Sequence, residues 1–231
     1  MVNFDLLKGS KNPKQIIDII RHNQEFRIAH PEYFEPEGLL VFCGHQGSGK
    51  TLSAVQYCKK VIRDFPDCLF CTNVKVNGLP DEFKSHIIEY DGLDSIKNLE
   101  NGYGGVLYLI DEIHLEFNSL ESKNIPIEVM IEVSQQRKQR KHIVGTSQVY
   151  MRMAKPLREQ IKNIVVCENY FKILQKNILL DGDKTTEEDG KIVTESVKTF
   201  YWLHSADLYD SYDTYAKMKR YRKEWQGRKI V

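Results

Sequence analysis

The chain has 231 residues, 41% of them hydrophobic and 28% charged, with a formal net charge of +1. That length and mixture suit one large domain or one domain with extensions, and a balance so near neutrality requires any basic surface to be local. No apolar run is long enough to span a bilayer, the first residues (MVNFDLLKGSKNPKQ) lack an apolar signal core, and five scattered cysteines make no disulfide framework, so the cytoplasm is the expected compartment.

Residues 1–37 are expected to form an N-terminal extension. Within it, PKQIIDIIRHNQEFRI places Ile16, Ile17, Ile19, Ile20 and Phe26 in the pattern of one amphipathic helix, and HPEYFEPEG then breaks it with two prolines. Residues 38–169 alternate short apolar runs with helical patterns and are expected to be the core domain. Strands are predicted at Leu39–Cys43, Cys68–Val74, Val106–Ile110, Ile143–Thr146 and Ile164–Cys167, and helices at Leu52–Asp64 and Ile127–Lys141. Several runs are apolar throughout, as strands buried on both faces of a parallel sheet are. The rhythm predicts an α/β core with βαβ crossovers. Cys68 and Cys71 resemble half of a zinc site, but with no second Cys or His pair they are read as core cysteines. Residues 170–231 change character: two strands flank a polar loop, as a hairpin or an added sheet edge, and SADLYDSYDTYAKMKRYRKEW follows as a helix with a basic end. Both are expected to pack on the core.

The chemistry concentrates where the first core strand meets the first core helix. GHQGSGKT fits G-x-x-x-x-G-K-[ST] with Gly44, Gly49, Lys50 and Thr51. Glycines let successive N–H groups curl inward around phosphate oxygens, and the helix start adds its dipole and donors. Gly44, His45, Gln46, Gly47, Ser48, Gly49, Lys50 and Thr51 are therefore the expected nucleotide-binding loop. Lys50 can reach the β- and γ-phosphates, and the Thr51 hydroxyl can bind Mg²⁺. In GGVLYLIDEIH, five apolar residues form a buried strand, and Asp111 and Glu112 emerge at its C-terminal end, where ligands bind in open α/β sheets. Asp111 is expected to hold Mg²⁺ through water, and Glu112 to polarise the attacking water. Signalling GTPases carry D-x-x-G and N-K-x-D, which are missing from the expected places here. A Glu directly after the Asp suits an ATPase that converts hydrolysis into motion. A third motif, RKQRKHIVGTSQVYMR, joins a basic helix end to a short strand. The polar residue at that strand's end, which contacts the γ-phosphate in motor ATPases, is best matched by Gln148, with Ser147 and Thr146 as alternates.

LIDEIHLEFNS, the helix after it and QRKQRKHIVGTSQ together resemble the zonular occludens toxin-like ATPases, assembly ATPases of filamentous phages related to the FtsK–HerA group of DNA pumps. The resemblance covers roughly residues 39–166, and DLYDSYDTY near Tyr209 adds to it weakly. It implies a RecA-like P-loop NTPase core that binds ATP with Mg²⁺, assembles as a homo-oligomeric ring and translocates DNA. Filamentous-phage members carry a membrane span that this sequence lacks. That departure favours genome packaging, with a capsid or portal-type partner, over virion extrusion. Two other classes stay open: a nucleotide-dependent switch or scaffold that binds no DNA, and a small-molecule or nucleotide kinase. The family often has Thr-Gln at the third motif, where this chain has Ser147-Gln148.

Arg137, Lys138, Arg140 and Lys141 crowd the predicted end of the helix before the third motif. Three roles compete for them: an arginine finger for a neighbour's γ-phosphate, a DNA-phosphate contact, and plain helix C-terminal charge. The resemblance favours function for the cluster, with Arg140 slightly ahead of Arg137 as the finger and Arg158 and Arg152 as rivals. In the tail, Lys217, Lys219, Arg220, Arg222, Lys223, Arg228 and Lys229 interleave with Tyr221 and Trp225, which reads equally as a phosphate-binding helix or a solvated face.

Overall fold

The uninterrupted apolar runs become strands of one eight-stranded sheet in the computed structural model, which describes residues 13–188, 191–193 and 196–212. After α1 (Pro13–Ala29) come β1 (Gly38–Cys43), α2 (Lys50–Asp64), β2 (Leu69–Thr72), β3 (Ile87–Glu89), α3 (Leu93–Asn98) and β4 (Val106–Ile110). The chain continues through α4 (Ile127–Gln135), β5 (Lys141–Ser147), α5 (Lys155–Arg158) and β6 (Ile161–Tyr170). It ends with β7 (Leu174–Asp181), the short antiparallel pair β8 (Thr186–Glu188) and β9 (Lys191–Val193), β10 (Ser196–Leu203) and α6 (Ala206–Tyr209). The sheet order is β10-β7-β6-β1-β5-β4-β2-β3. All strands from β6 to β3 are parallel; at one edge β7 pairs antiparallel with β6 and with β10.

Period-two alternation sorts the strand residues into two cores. Leu40 and Phe42 of β1 join Phe70, Leu107, Leu109 and Val144 beneath Ala54, Val55, Cys58 and Ile62 of α2. Leu39, Val41 and Cys43 face the other way, joining Tyr108, Ile110 and Ile143 beneath Val129 and Val133 of α4 and Leu157 of α5. Each Val, Leu, Ile or Phe among them contributes about 1.5–3 kcal/mol on withdrawal from water, before the cost of ordering the chain. With both faces covered, the strands of the middle of the sheet read as apolar throughout. Cys68 and Cys71 fall in opposite cores, so their thiols point away from each other across the sheet. Burial pushes both thiols up to about 12.

Two expectations need correction. The helix predicted at Ile127–Lys141 ends at Gln135. Residues 136–140 form turns that close with Arg140 in the left-handed region, φ 54°, and Lys141 N–H bonded to Gln136 C=O at 2.8 Å. The reason is the sheet: β5 begins at Lys141, pairing with β1 from His142 and with β4 from Lys141 itself. The basic cluster is therefore not a helix end. The predicted helix beginning at Ser205 is a single turn, Ala206–Tyr209, after which Tyr212 bridges to Val76. The basic part of that segment, from residue 213, lies outside the described residues.

Lys141 is fully buried, with its ammonium donating to Glu132 Oε2 at 2.7 Å and to Ile96 C=O at 2.9 Å. Burial raises the Glu132 carboxyl, but the hydrogen bonds from Lys141 and Gln139 more than offset it and hold the group below its ordinary value of 4.5. A carboxyl lowered on folding adds stability that is complete above its unfolded value and is lost as pH falls through the folded one. Lys141→Met keeps the apolar stem and strands Glu132 and the carbonyl. It is expected to cost about 2–4 kcal/mol, at the low side of values for broken buried pairs because Glu132 is partly exposed. Urea melts at neutral pH and at pH 3.5 check both points: the penalty should shrink at the acid end.

Candidate active site

The loop from Gly44 to Gly49 leaves β1 at its C-terminal end and enters α2 at Lys50. Gly47 and Gly49 sit in the left-handed region, at φ 81° and φ 80°. A Cβ at Gly49 would collide with the side-chain amide of Gln175, so only glycine fits there. Beside it, the Ser48 hydroxyl is buried without a hydrogen-bond partner. Left-handed glycines that turn backbone N–H groups inward ahead of a helix start fit an anion's oxygens.

Four elements converge on this loop. Thr51 Oγ1 donates to Asp111 Oδ1 at 2.9 Å. Thr146 Oγ1 donates to the same carboxylate oxygen at 2.6 Å and accepts from Glu112 N–H at 2.9 Å. Asn73, just past β2, clamps the Asp111 peptide, accepting from its N–H at 2.8 Å and donating to its C=O at 3.1 Å. Glu112 is held at φ 56°, a left-handed conformation that a glutamate adopts only under constraint. Its Oε1 accepts from Gln148 Nε2 at 3.2 Å and lies 3.6 Å from Lys50 Nζ. The lysine is itself buried, its side chain only 9% exposed. The hydroxyl of Thr51 and the carboxylate of Asp111, both hard oxygen donors at the mouth of the cradle, are a donor set that suits Mg²⁺.

The expected site residues thus fall into two groups. Gly44 through Thr51, Asp111, Glu112 and Gln148 meet at the C-terminal ends of β1, β4 and β5. Arg137 and Arg140 lie at the opposite edge, before the start of β5. Arg137 pairs with Glu37 at 2.8 Å and stays 81% exposed. Arg140 is packed within its own chain. Its guanidinium sits 4.4 Å from the Tyr33 ring centre and 5.4 Å from that of Tyr103, and donates to Phe34 C=O at 3.4 Å. Gln148 and its two alternates at the third motif are each engaged: Thr146 with Asp111, Ser147 with His114 at 3.2 Å, and Gln148 with Glu112.

Sequence reasoning missed Asn73, His114 and the contribution of β7. Gln175, fully buried on β7, donates to Ser48 C=O at 2.9 Å, and beside it Asn177 bonds Ser53 of α2 at 3.2 Å. His204 Nε2 meets the Gln175 carbonyl oxygen at 3.2 Å. His114 was within sight in the motif DEIH, two residues after the glutamate; the β7 amides carry no local signal. Gln175→Met keeps the side chain's bulk but leaves the Ser48 carbonyl and its loop without their buttress. A cost of about 1–3 kcal/mol is expected, with weaker nucleotide binding, read by thermal melts and by titration with a fluorescent ATP analogue.

Residues 39–219 match a family model described as zonular occludens toxin (Zot). No curated protein sequence matches the chain. Among solved structures, the N-terminal domain of zonular occludens toxin from Neisseria meningitidis is similar over 77% of this chain and 100% of that one, with 16% identity and a TM-score of 0.54. A second is the genome packaging NTPase of Sulfolobus turreted icosahedral virus 2 in complex with sulfate, similar over 71% of this chain and 96% of that one, with 12% identity and a TM-score of 0.50. At these identities the likeness is one of fold. Among the described residues, no helix is long and apolar enough to cross a membrane.

Proposed function

Because the chain belongs to the zonular occludens toxin (Zot) family, we propose that it hydrolyses ATP and spends the cycle on moving DNA, in the setting of viral genome packaging. The observation that carries the reading is the unbroken run of contacts from Thr51 through Asp111 and Thr146 to Glu112 and Gln148, laid against the phosphate loop. When bound, Mg²⁺ would neutralise charge on the β- and γ-phosphates, and Thr51 and Asp111 would hold it.

The residues of the chain divide the remaining work. Lys50 and Glu112 neutralise each other at 3.6 Å. A γ-phosphate carries more negative charge than one carboxylate, so Lys50 turns to it when ATP enters. Glu112 Oε1, released from Lys50 and still accepting from Gln148, then has a lone pair to take a proton from the attacking water. Gln148, bonded to the same oxygen, lies where loss of the γ-phosphate would be felt first.

The motor reading adds a homo-oligomeric ring, a core of residues 38–169 with extensions at 1–37 and 170–231, a capsid or portal-type partner and a cytoplasmic location. A ring can supply an arginine in trans, worth about 10³–10⁵ in turnover in related phosphoryl-transfer systems. Such a residue must leave its own chain at little cost. Arg137, held by one exposed ion pair, meets that condition. Arg140, stacked on two tyrosines, does not, which reverses the order expected from sequence. Mixing Arg137→Ala subunits with Lys50→Ala subunits should restore part of the turnover that each lacks alone.

Phosphate release with and without DNA tests the motor. DNA stimulation is expected, whether double-stranded as in capsid packaging or single-stranded as in filamentous-type extrusion. Turnover indifferent to either DNA would point to the switch or scaffold, and transfer of phosphate to an acceptor other than water would point to a kinase.

A further inference from the structure

Glu112 has a second carboxylate oxygen, Oε2, which faces away from Lys50 and Gln148 toward His114. Oε2 is buried and makes no well-aligned hydrogen bond. It lies 3.2 Å from Nδ1 of His114, whose side chain is 8% exposed. The same nitrogen is 3.2 Å from Ser147 Oγ, on the strand end that carries Gln148. Ser147 Oγ donates its own hydrogen to Val149 C=O at 3.0 Å, so toward His114 it offers a lone pair. Nδ1 is thus faced by two acceptors, one a carboxylate. A lone pair on Nδ1 would be repelled by both; an N–H there serves both. The neighbours of the ring therefore select the tautomer with hydrogen on Nδ1.

We propose that His114 is a positioning residue for hydrolysis: its Nδ1 edge, bonded to Ser147 Oγ and 3.2 Å from Oε2, holds the Glu112 carboxylate by electrostatic attraction, turning Oε1 toward the water and tying that carboxylate to the end of β5. The arrangement explains how a glutamate in a left-handed backbone conformation keeps one rotamer when Lys50 departs for the phosphate. It also gives Glu112 and Gln148 a common mounting, so a shift at the end of β5 on phosphate loss is passed to the base. The proposal rests on the reading of the site as an ATPase.

The test compares His114→Leu and His114→Asn in the full chain. Asparagine places an amide N–H where Nδ1 stands; leucine fills the space without a donor. With His114→Leu, kcat is expected to fall about 10- to 100-fold, the loss typical of a misplaced catalytic group. KM and the affinity for a fluorescent ATP analogue should stay near wild type, because the phosphate loop is untouched. His114→Asn should recover most of the loss. In a Glu112→Gln background, His114→Leu should subtract nothing further, since both changes act on one carboxylate. Three results would overturn the proposal: a His114→Leu protein with wild-type kcat, an Asn variant as slow as the Leu variant, or a full additional loss in the Glu112→Gln background. A wild-type protein that binds no nucleotide or releases no phosphate would instead sink the ATPase reading itself, and is told apart by that control.

Discussion

Glu112→Gln is expected to bind ATP and to hydrolyse it at least about a hundredfold more slowly. The amide keeps the shape of the carboxylate and its contact with Gln148, but it cannot take a proton from water. The contacts of Asp111 with Thr51 and Thr146 do not involve the changed side chain, so the proposed metal position is left intact. Affinity should rise slightly rather than fall. In the wild type Lys50 is neutralised by Glu112; without that charge the lysine is a buried cation that favours an anion. Single-turnover hydrolysis with an equilibrium titration separates the two effects. Near-normal turnover would remove Glu112 from the chemistry, and Asp111→Asn should then be examined as the base.

Lys50→Ala should have the larger effect on binding. It removes the cation of the loop and leaves the Glu112 carboxylate unneutralised beside the entering phosphates. Losing one partner of a buried pair costs about 3–5 kcal/mol, and roughly 3 kcal/mol felt in binding is about two orders of magnitude in Kd. The fold should survive, because Lys50 is the first residue of α2 and that helix is anchored further along by Ala54, Val55, Cys58 and Ile62. Adding Glu112→Gln to Lys50→Ala should return part of the affinity by removing the stranded charge, a coupling that a double-mutant cycle reads directly. Tight ATP binding by a folded Lys50→Ala protein would overturn the assignment of the loop.

What the sequence made legible was what local pattern encodes. β4 has the predicted ends, Val106 and Ile110, because five apolar residues bounded by glycines and acids have one reading in an α/β chain. The glycine-rich loop and the acidic pair could be placed for the same reason: fixed spacing next to a strand. The end of α4 could not be. Residues 135–141, QQRKQRK, have good helix propensity, and what stops the helix is the demand of β1 and β4 for a partner strand starting at Lys141. The charge of Lys141 suggested a surface; its buried contact with Glu132 is a pairing between residues that the pattern gave no cause to match. The packing of Arg140 was hidden in the same way, since the tyrosines that hold it come from residues 33 and 103. Gln175 was invisible because its meaning lies in a carbonyl more than a hundred positions earlier.

That glutamine also bears on how the molecule opens. The buried amides of Gln175 and Asn177 tie β7 to Ser48 and Ser53 across the start of α2. A fluctuation that peels β7 from β6 therefore exposes unpaired polar groups on both sides and slackens the phosphate loop in the same event. Segments joined in this way exchange their amide hydrogens as one cooperative unit. In deuterium labelling, the amides of β7 and of the first turns of α2 should share one protection level, and a bound nucleotide should raise both together, although β7 touches the ligand only through the loop it supports.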